Sequence, residues 1–123
     1  IYQTHYTPNV FGIYLLYHVL QDMPEIQQTD QQTRDRMRKL EDAIANTSKL
    51  RMLILNPEAR SSTVLAISGK EEFISEIKKA AEKEGMQLGS GYGPLKPTSF
   101  RIANFPAINE SEFSKLVEFL KKY

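Results

Sequence analysis

The chain has 123 residues, 41% hydrophobic and 25% charged, with 16 basic and 15 acidic side chains and a formal net charge of +1. That length fits one domain, 1–123, and leaves little room for two; the near-neutral balance excludes capture of nucleic acid or of an anionic membrane by bulk electrostatics. The absence of cysteine excludes disulfides, thiolate zinc sites and a cysteine nucleophile and suits a reducing, cytoplasmic setting, while two histidines, His5 and His18, do not make a convincing metal site by themselves.

Thr7-Pro8-Asn9 reads as a helix start. Thr7 is the expected cap, and Pro8 suits the first helical position, where its φ is pre-set and no N–H is needed. The following run, Val10 to Leu20, is apolar almost all round, which predicts burial on more than one face. It is too short to span a bilayer, which takes roughly 20 apolar residues, and a small domain does not wrap such a helix by itself. Residues 1–24 are therefore expected to form a lead-in helix packed on another domain or on a second subunit. Position 1 is Ile rather than Met, with no secretory signal after it, which adds the expectation of a domain cut at Ile1. His5, Tyr6 and Thr7 stand just ahead of the helix N-terminus, where unspent N–H groups and the helix dipole favour an anion; a plain cap is the simpler reading.

Asp22 to Thr33 is polar and Gln-rich, a connection or the frayed start of a second helix. Arg34 to Asn46 carries Met37, Leu40 and Ile44 at helical spacing with charge on its other faces, as a surface helix does. The period then changes. Arg51 to Leu55 reads as a strand stopped by Asn56-Pro57, and Thr63 to Ile67 as a second. Ser68 is placed to cap the next helix with Glu71 as its capping-box partner; the helix runs to about Glu84 and ends at Gly85. Met86 to Leu88 is a short strand candidate, Gly89 to Pro94 a loop, and Ser99 to Ala103 the next strand. Asn109 caps the last helix with Glu112 as partner, and Phe113, Leu116, Val117 and Leu120 form its buried stripe. Together these predict an α+β fold, a small antiparallel or mixed sheet of three to four strands with helices mainly on one face.

Two features bear on chemistry. Gly89, Gly91 and Gly93 superficially resemble a phosphate loop, but a dinucleotide fingerprint runs from a strand into a helix, whereas here Pro94, Lys96 and Pro97 lead to a strand. The loop reads either as a flexible connection or as a flap over a site. Arg101 interrupts an apolar strand, so alternation puts Phe100 and Ile102 on one face and Arg101 on the other. Charged residues are mostly exposed, which makes a solvent-facing arginine the plain reading. The sharper one is a rigid fork that binds a carboxylate through two hydrogen bonds. Arg60 invites the same comparison and reads as an exposed loop residue.

In order and spacing, Thr7-Pro8-Asn9-Val10-Phe11-Gly12-Ile13-Tyr14, then Arg60-Ser61-Ser62-Thr63-Val64, then Phe100-Arg101-Ile102-Ala103-Asn104-Phe105-Pro106-Ala107, the chain resembles the C-terminal small domain of class V pyridoxal-phosphate aminotransferases, most of all the phosphoserine type. The resemblance covers nearly the whole chain. It implies a homodimer in which Arg101 grips the substrate α-carboxylate and Thr7, with Tyr6 beside it, reaches the cofactor phosphate of the neighbouring subunit. It further implies transamination between phosphoserine and 2-oxoglutarate in serine biosynthesis, with the cofactor-binding lysine in a large domain upstream, so that this chain by itself is inactive. None of its ten lysines stands in a context like that one.

Two departures bear on the substrate. The family usually has Asn before the threonine, where this chain has Tyr6. Its loop before the arginine strand typically holds a Gly-His-Arg stretch for the substrate phosphate, absent from Gly89–Lys96; Tyr92 or Lys96 would have to substitute for it. In this the loop is more similar to alanine–glyoxylate or serine–pyruvate aminotransferases of the same class. A reading from another class is a non-catalytic binding module that uses the apolar first helix as its partner surface.

Overall fold

The computed structural model describes residues 5–123. The expected cut at Ile1, and the first residues of the 1–24 segment, lie outside them. Helix α1 spans Val10–Asp22 and is capped by Asn9, not Thr7: the Asn9 Oδ1 accepts the Gly12 N–H at 2.9 Å. Asn caps at least as well as Thr, and here it is the residue that directly precedes the apolar run. Pro8 thus falls before the cap, where its carbonyl accepts the Val10 N–H at 2.9 Å. No residue of α1 is buried. Its large apolar side chains are exposed to between 47% at Leu15 and 70% at Phe11, so none of the apolar surface predicted for this helix is covered by the rest of the described chain.

Helix α2 runs Ile26–Ala45, beginning eight residues before the expected start at Arg34. The polar lead is helical because its inward face is held: Thr29, Thr33 and Arg36 are buried along with Met37, Leu40, Ala43 and Ile44, and the Thr33 hydroxyl donates to the Thr29 carbonyl at 2.8 Å. A period-3.6 count of apolar residues alone misses that extension.

The sheet has four strands in the order β1 (Leu50–Met52), β2 (Val64–Gly69), β4 (Ser99–Ala103), β3 (Gly89–Ser90), all antiparallel. Strand β1 is shorter than expected because Arg60 takes its continuation out of the ladder: Nε donates to the Ile54 carbonyl at 2.8 Å and Nη2 to the Leu55 carbonyl at 3.1 Å. Arg60 is therefore a structural clamp, bonded also to Glu41 at 3.0 Å, and not an exposed loop residue. Met86 to Leu88 forms no strand; pairing begins at Gly89, opposite Arg101.

Helices α3 (Glu71–Lys83) and α4 (Glu110–Leu120) complete the fold. Ser68 does not cap α3. It is buried in β2, its hydroxyl bonded across to Arg51, and Lys70 fills the cap position without a side-chain bond. Gly85 ends α3 as expected, at φ +76°, a conformation that glycine adopts without steric cost. Asn109 caps α4 as expected, accepting the Glu112 N–H at 2.9 Å. Leu65 and Ile67 of β2 stand opposite Ile102 and Phe100 of β4. Those four join Leu40, Ile44, Ile74, Ile77, Phe113 and Leu120 in one buried cluster. At about 1.5–3 kcal/mol for each fully buried large apolar side chain, this cluster is what holds the sheet to α2, α3 and α4. The opposite sheet face carries Ala66 and Arg101 as cross-strand neighbours, and it is there that the candidate site lies.

Candidate substrate-binding site around Arg101

Alternation along β4 places Phe100 and Ile102 in the core and leaves Arg101 half-buried on the far face. Its cross-strand neighbours are Ala66 on one side and Gly89 on the other, so no bulky side chain crowds it. Nε donates to the Ser90 carbonyl at 2.8 Å, and Nη1 donates to the Tyr92 hydroxyl at 2.6 Å. The guanidinium carbon lies 4.0 Å from the centre of the Tyr92 ring, within cation–π range. Nη2 makes no hydrogen bond to any described residue. The result is a cation whose stem is fixed and whose tip keeps donors to spare.

The glycine loop is not a slack connection. The Ser99 hydroxyl donates to the Leu95 carbonyl at 2.6 Å, the Gly91 N–H to the Ser99 carbonyl at 3.3 Å and the Leu95 N–H to the Tyr92 carbonyl at 3.0 Å. A short 3-10 turn at Gly93–Leu95 closes it, and no helix follows, unlike a nucleotide loop. The backbone of Gly91 runs so close to β4 that a Cβ there would sit 2.0 Å from the Ser99 hydroxyl and 2.8 Å from the Leu95 carbonyl. Tyr92 is thereby set over Arg101, although its ring stays largely exposed. On its other side Arg101 borders a hollow of about 610 Å³ between β4 and α4, walled by Met86, Leu88, Phe105 and Leu116.

Of the three substrate-site residues expected from the sequence, the structure brings Arg101 and Tyr92 together and leaves Lys96 apart. The Lys96 side chain is exposed and makes no hydrogen bond or ion pair with any described residue. The two cofactor-site residues, Tyr6 and Thr7, are exposed at the start of α1, and neither is a partner of Arg101. The expected anion site at that helix start is altered: Asn9 and the Pro8 carbonyl already hold the Gly12 and Val10 N–H groups. What remains for an anion is the Phe11 N–H and the Thr7 hydroxyl, neither of which makes a hydrogen bond to a described residue. The Ser90 carbonyl was not legible beforehand, because a backbone acceptor leaves no mark on side-chain pattern.

A second arginine, this one buried, belongs to the scaffold. Arg36 donates to one Glu110 carboxylate oxygen from Nε at 3.0 Å and Nη2 at 2.9 Å, and to the Ile108 carbonyl from Nη1 at 2.8 Å. Its guanidinium also stands 5.2 Å from the Phe113 ring centre. The hydrogen bond from Arg36 is the main reason the Glu110 carboxyl titrates below its ordinary value; desolvation opposes the shift, and the charges of Arg36 and Lys39 add to it. His18 packs edge-on against Tyr14 and Tyr17. Among the described residues no three His, Asp or Glu side chains gather as metal ligands, and no helix is long and apolar enough to cross a membrane.

No protein-family model matches the chain, and no curated protein matches it. Solved structures do. A phosphoserine aminotransferase from Cytophaga hutchinsonii is 33% identical, with a TM-score of 0.85 over 98% of this chain and 34% of that one. A phosphoserine aminotransferase from Bacillus circulans subsp. alkalophilus is 25% identical, with a TM-score of 0.80 over 96% of this chain and 33% of that one. An alanine–glyoxylate aminotransferase from Nostoc sp. shares the fold alone, at 14% identity and a TM-score of 0.60 over 75% of this chain and 25% of that one. The chain thus spans about a third of the length of the phosphoserine aminotransferases it is similar to, and has the α+β architecture of the corresponding part.

Proposed function

We propose that this chain is the small domain of a pyridoxal-phosphate aminotransferase of the phosphoserine type, passing an amino group between phosphoserine and 2-oxoglutarate in the cytoplasm, with Arg101 as the grip for the substrate α-carboxylate. The observation that carries the reading is the Arg101 guanidinium itself. It is fixed at Nε by the Ser90 carbonyl and braced by Tyr92, yet Nη2 has no partner among the described residues. A planar fork with donors left over matches a carboxylate with two hydrogen bonds, as a lysine ammonium does not. The likeness in fold and sequence to two phosphoserine aminotransferases supports it.

Pyridoxal phosphate, when bound, supplies the electron sink that makes the Cα–H bond of an amino acid labile. The residues of this chain orient. Arg101 holds the carboxylate so that the remaining bonds at Cα are fixed in direction, which is catalysis by positioning. The exposed Thr7 hydroxyl, with Tyr6 beside it, is the chain's candidate contact to the cofactor phosphate, across the interface of a homodimer. A hydroxyl donor with no partner among the described residues suits a phosphate oxygen. Lys96, an exposed ammonium without an ion pair among the described residues, in the loop that also carries Tyr92, is the candidate cation for a substrate phosphate. The apolar surface of α1 is the candidate seat for the enzyme's own large domain or for the second subunit. No lysine of this chain is assigned to the cofactor, so the chain alone is expected to be inactive.

One observation favours a second reading, an alanine–glyoxylate or serine–pyruvate type enzyme: the loop from Gly89 to Lys96 offers a single cation, Lys96, where a substrate phosphate would call for more. The test for both is a panel of donors, phosphoserine, alanine, serine and glutamate, on the full-length protein and its Arg101→Ala variant. Loss of hydrogen bonds to a charged group, at about 1.5–3 kcal/mol, should lower kcat/KM roughly ten- to hundred-fold and leave the bound cofactor's absorbance unchanged. Unaltered kinetics in the variant would refute the carboxylate role. Turnover of alanine or serine well above that of phosphoserine would decide for the second reading.

A further inference from the structure

We infer that Tyr92 is a positioning residue that fixes which edge of the Arg101 guanidinium a carboxylate meets: the Nη1–Nη2 end, not the Nε–Nη2 side. The inference rests on the carboxylate role proposed for Arg101 and goes beyond it by naming the docking edge and the residue that sets it.

A guanidinium offers a carboxylate two edges with parallel N–H bonds, one formed by Nε and Nη2 and one by Nη1 and Nη2. The Nε–H is already given to the Ser90 carbonyl at 2.8 Å. That acceptor is not free to move aside, because Ser90 lies in β3 and is paired with Phe100 of β4. The side edge is therefore closed, and the end edge is the one left. Tyr92 then determines where that end points. Its hydroxyl takes one of the two Nη1 hydrogens at 2.6 Å, and its ring centre lies 4.0 Å from the guanidinium carbon. Among the described residues one Nη1 hydrogen and both Nη2 hydrogens remain, and the end-on pair forms with Tyr92 holding the Nη1 hydrogen on the Cδ side.

Long arginine side chains lose rotamer freedom when they bind. Here three contacts, to the Ser90 carbonyl, the Tyr92 hydroxyl and the Tyr92 ring, impose that loss before any ligand arrives, and a site ordered in advance binds more tightly. The Tyr92 hydroxyl oxygen accepts from Arg101, so the role inferred for Tyr92 acts through the arginine on the carboxylate common to all amino acids. Its own position comes from the brace at Gly91, Leu95 and Ser99.

The test uses full-length protein with Tyr92→Phe, which keeps the ring and removes the acceptor, and Tyr92→Ala, which removes both, each measured with phosphoserine and with glutamate as donors. The expected result is a KM raised about threefold to tenfold by Tyr92→Phe and more by Tyr92→Ala, with kcat within about twofold and the same factor for both donors. In an Arg101→Lys background, which lacks the fork, Tyr92→Phe should add little. A structure with a bound dicarboxylate analogue such as maleate should show its oxygens on Nη1 and Nη2 and none on Nε. The inference is overturned by a KM that Tyr92→Ala leaves unmoved, by an effect confined to phosphoserine, or by a carboxylate seated on Nε. A wild-type protein that transaminates no donor would defeat the parent reading and this one with it, whereas an active protein with an indifferent Tyr92 defeats this one alone.

Discussion

Asn104 stands one residue past β4, and its buried amide joins three segments. Nδ2 donates to the Thr33 carbonyl of α2 at 2.8 Å and to the Ser62 carbonyl before β2 at 2.9 Å, while its backbone N–H reaches the Thr63 carbonyl at 2.7 Å. One side-chain nitrogen serves both acceptors. Asn104→Ala leaves the part-buried Ser62 carbonyl without that donor, at about 1–3 kcal/mol for an unsatisfied group, while the Thr33 carbonyl keeps its helical partner within α2. Asn104→Asp should cost more still, because it turns an acceptor oxygen toward two carbonyls; a urea unfolding midpoint for the Asp variant at or above that of the Ala variant would contradict this account. Glu110 gives a prediction in pH. Its folded-state pKa lies below the ordinary value near 4.5, so its share of stability is fully present above that value and is lost as pH falls through the depressed one. Thermal midpoints of the wild type and Glu110→Gln should therefore differ by a constant amount above about pH 5.5 and converge in acid. The gap will be modest, since the Glu110 side chain is 53% exposed.

At the scale of elements, the loop between β3 and β4 depends on what Gly91 lacks. A methyl group there would meet the Ser99 hydroxyl and the Leu95 carbonyl at once, and the carbonyl, being backbone, yields only if the loop moves. Gly91→Ala should cost about 1–3 kcal/mol, the usual range for overpacking, and should also raise KM for amino donors by displacing Tyr92. Retention of wild-type KM in a variant that is measurably less stable would separate the loop from the site. The elements that pattern alone located, β4, the extent of α3, the Gly85 stop and the Asn109 cap, are those in which one residue type has one strong local role. The misplacements arose where a side chain was claimed by a distant partner. Arg60 drew Ile54 and Leu55 out of β1, Ser68 was held by Arg51 across the sheet, and inward-facing threonines with a buried Arg36 extended α2 through a polar stretch. For the site, alternation put Arg101 on the free face of the sheet, but its anchor is a backbone carbonyl on β3. Lys96, expected as a stand-in for contacts to a substrate phosphate, follows the 3-10 turn and is exposed.

For the whole molecule, α1 and the remaining domain answer to different forces. The core of α2, α3, α4 and the sheet contains no α1 residue, while α1 presents Ile13, Leu16 and Leu20 on one side and Tyr14 and Tyr17 on another, all exposed. Charged substitutions on this helix should therefore be nearly silent for the fold: Ile13→Glu with Leu16→Glu should shift the unfolding free energy of this chain by no more than about 0.5 kcal/mol, the usual range for surface positions away from structural contacts. The same pair should be severe for assembly. Burying each of these side chains against another surface is worth about 1.5–3 kcal/mol, and a glutamate placed in that contact would carry an unpaired charge into it. Sedimentation of the full-length protein should then show a smaller or dissociating species, with unchanged helix and strand content by circular dichroism. Equal loss of fold and assembly would mean that α1 belongs to the domain core after all. Unchanged assembly together with unchanged transamination would remove α1 as the seat of a large domain or second subunit and leave the separate binding-module reading for its apolar face.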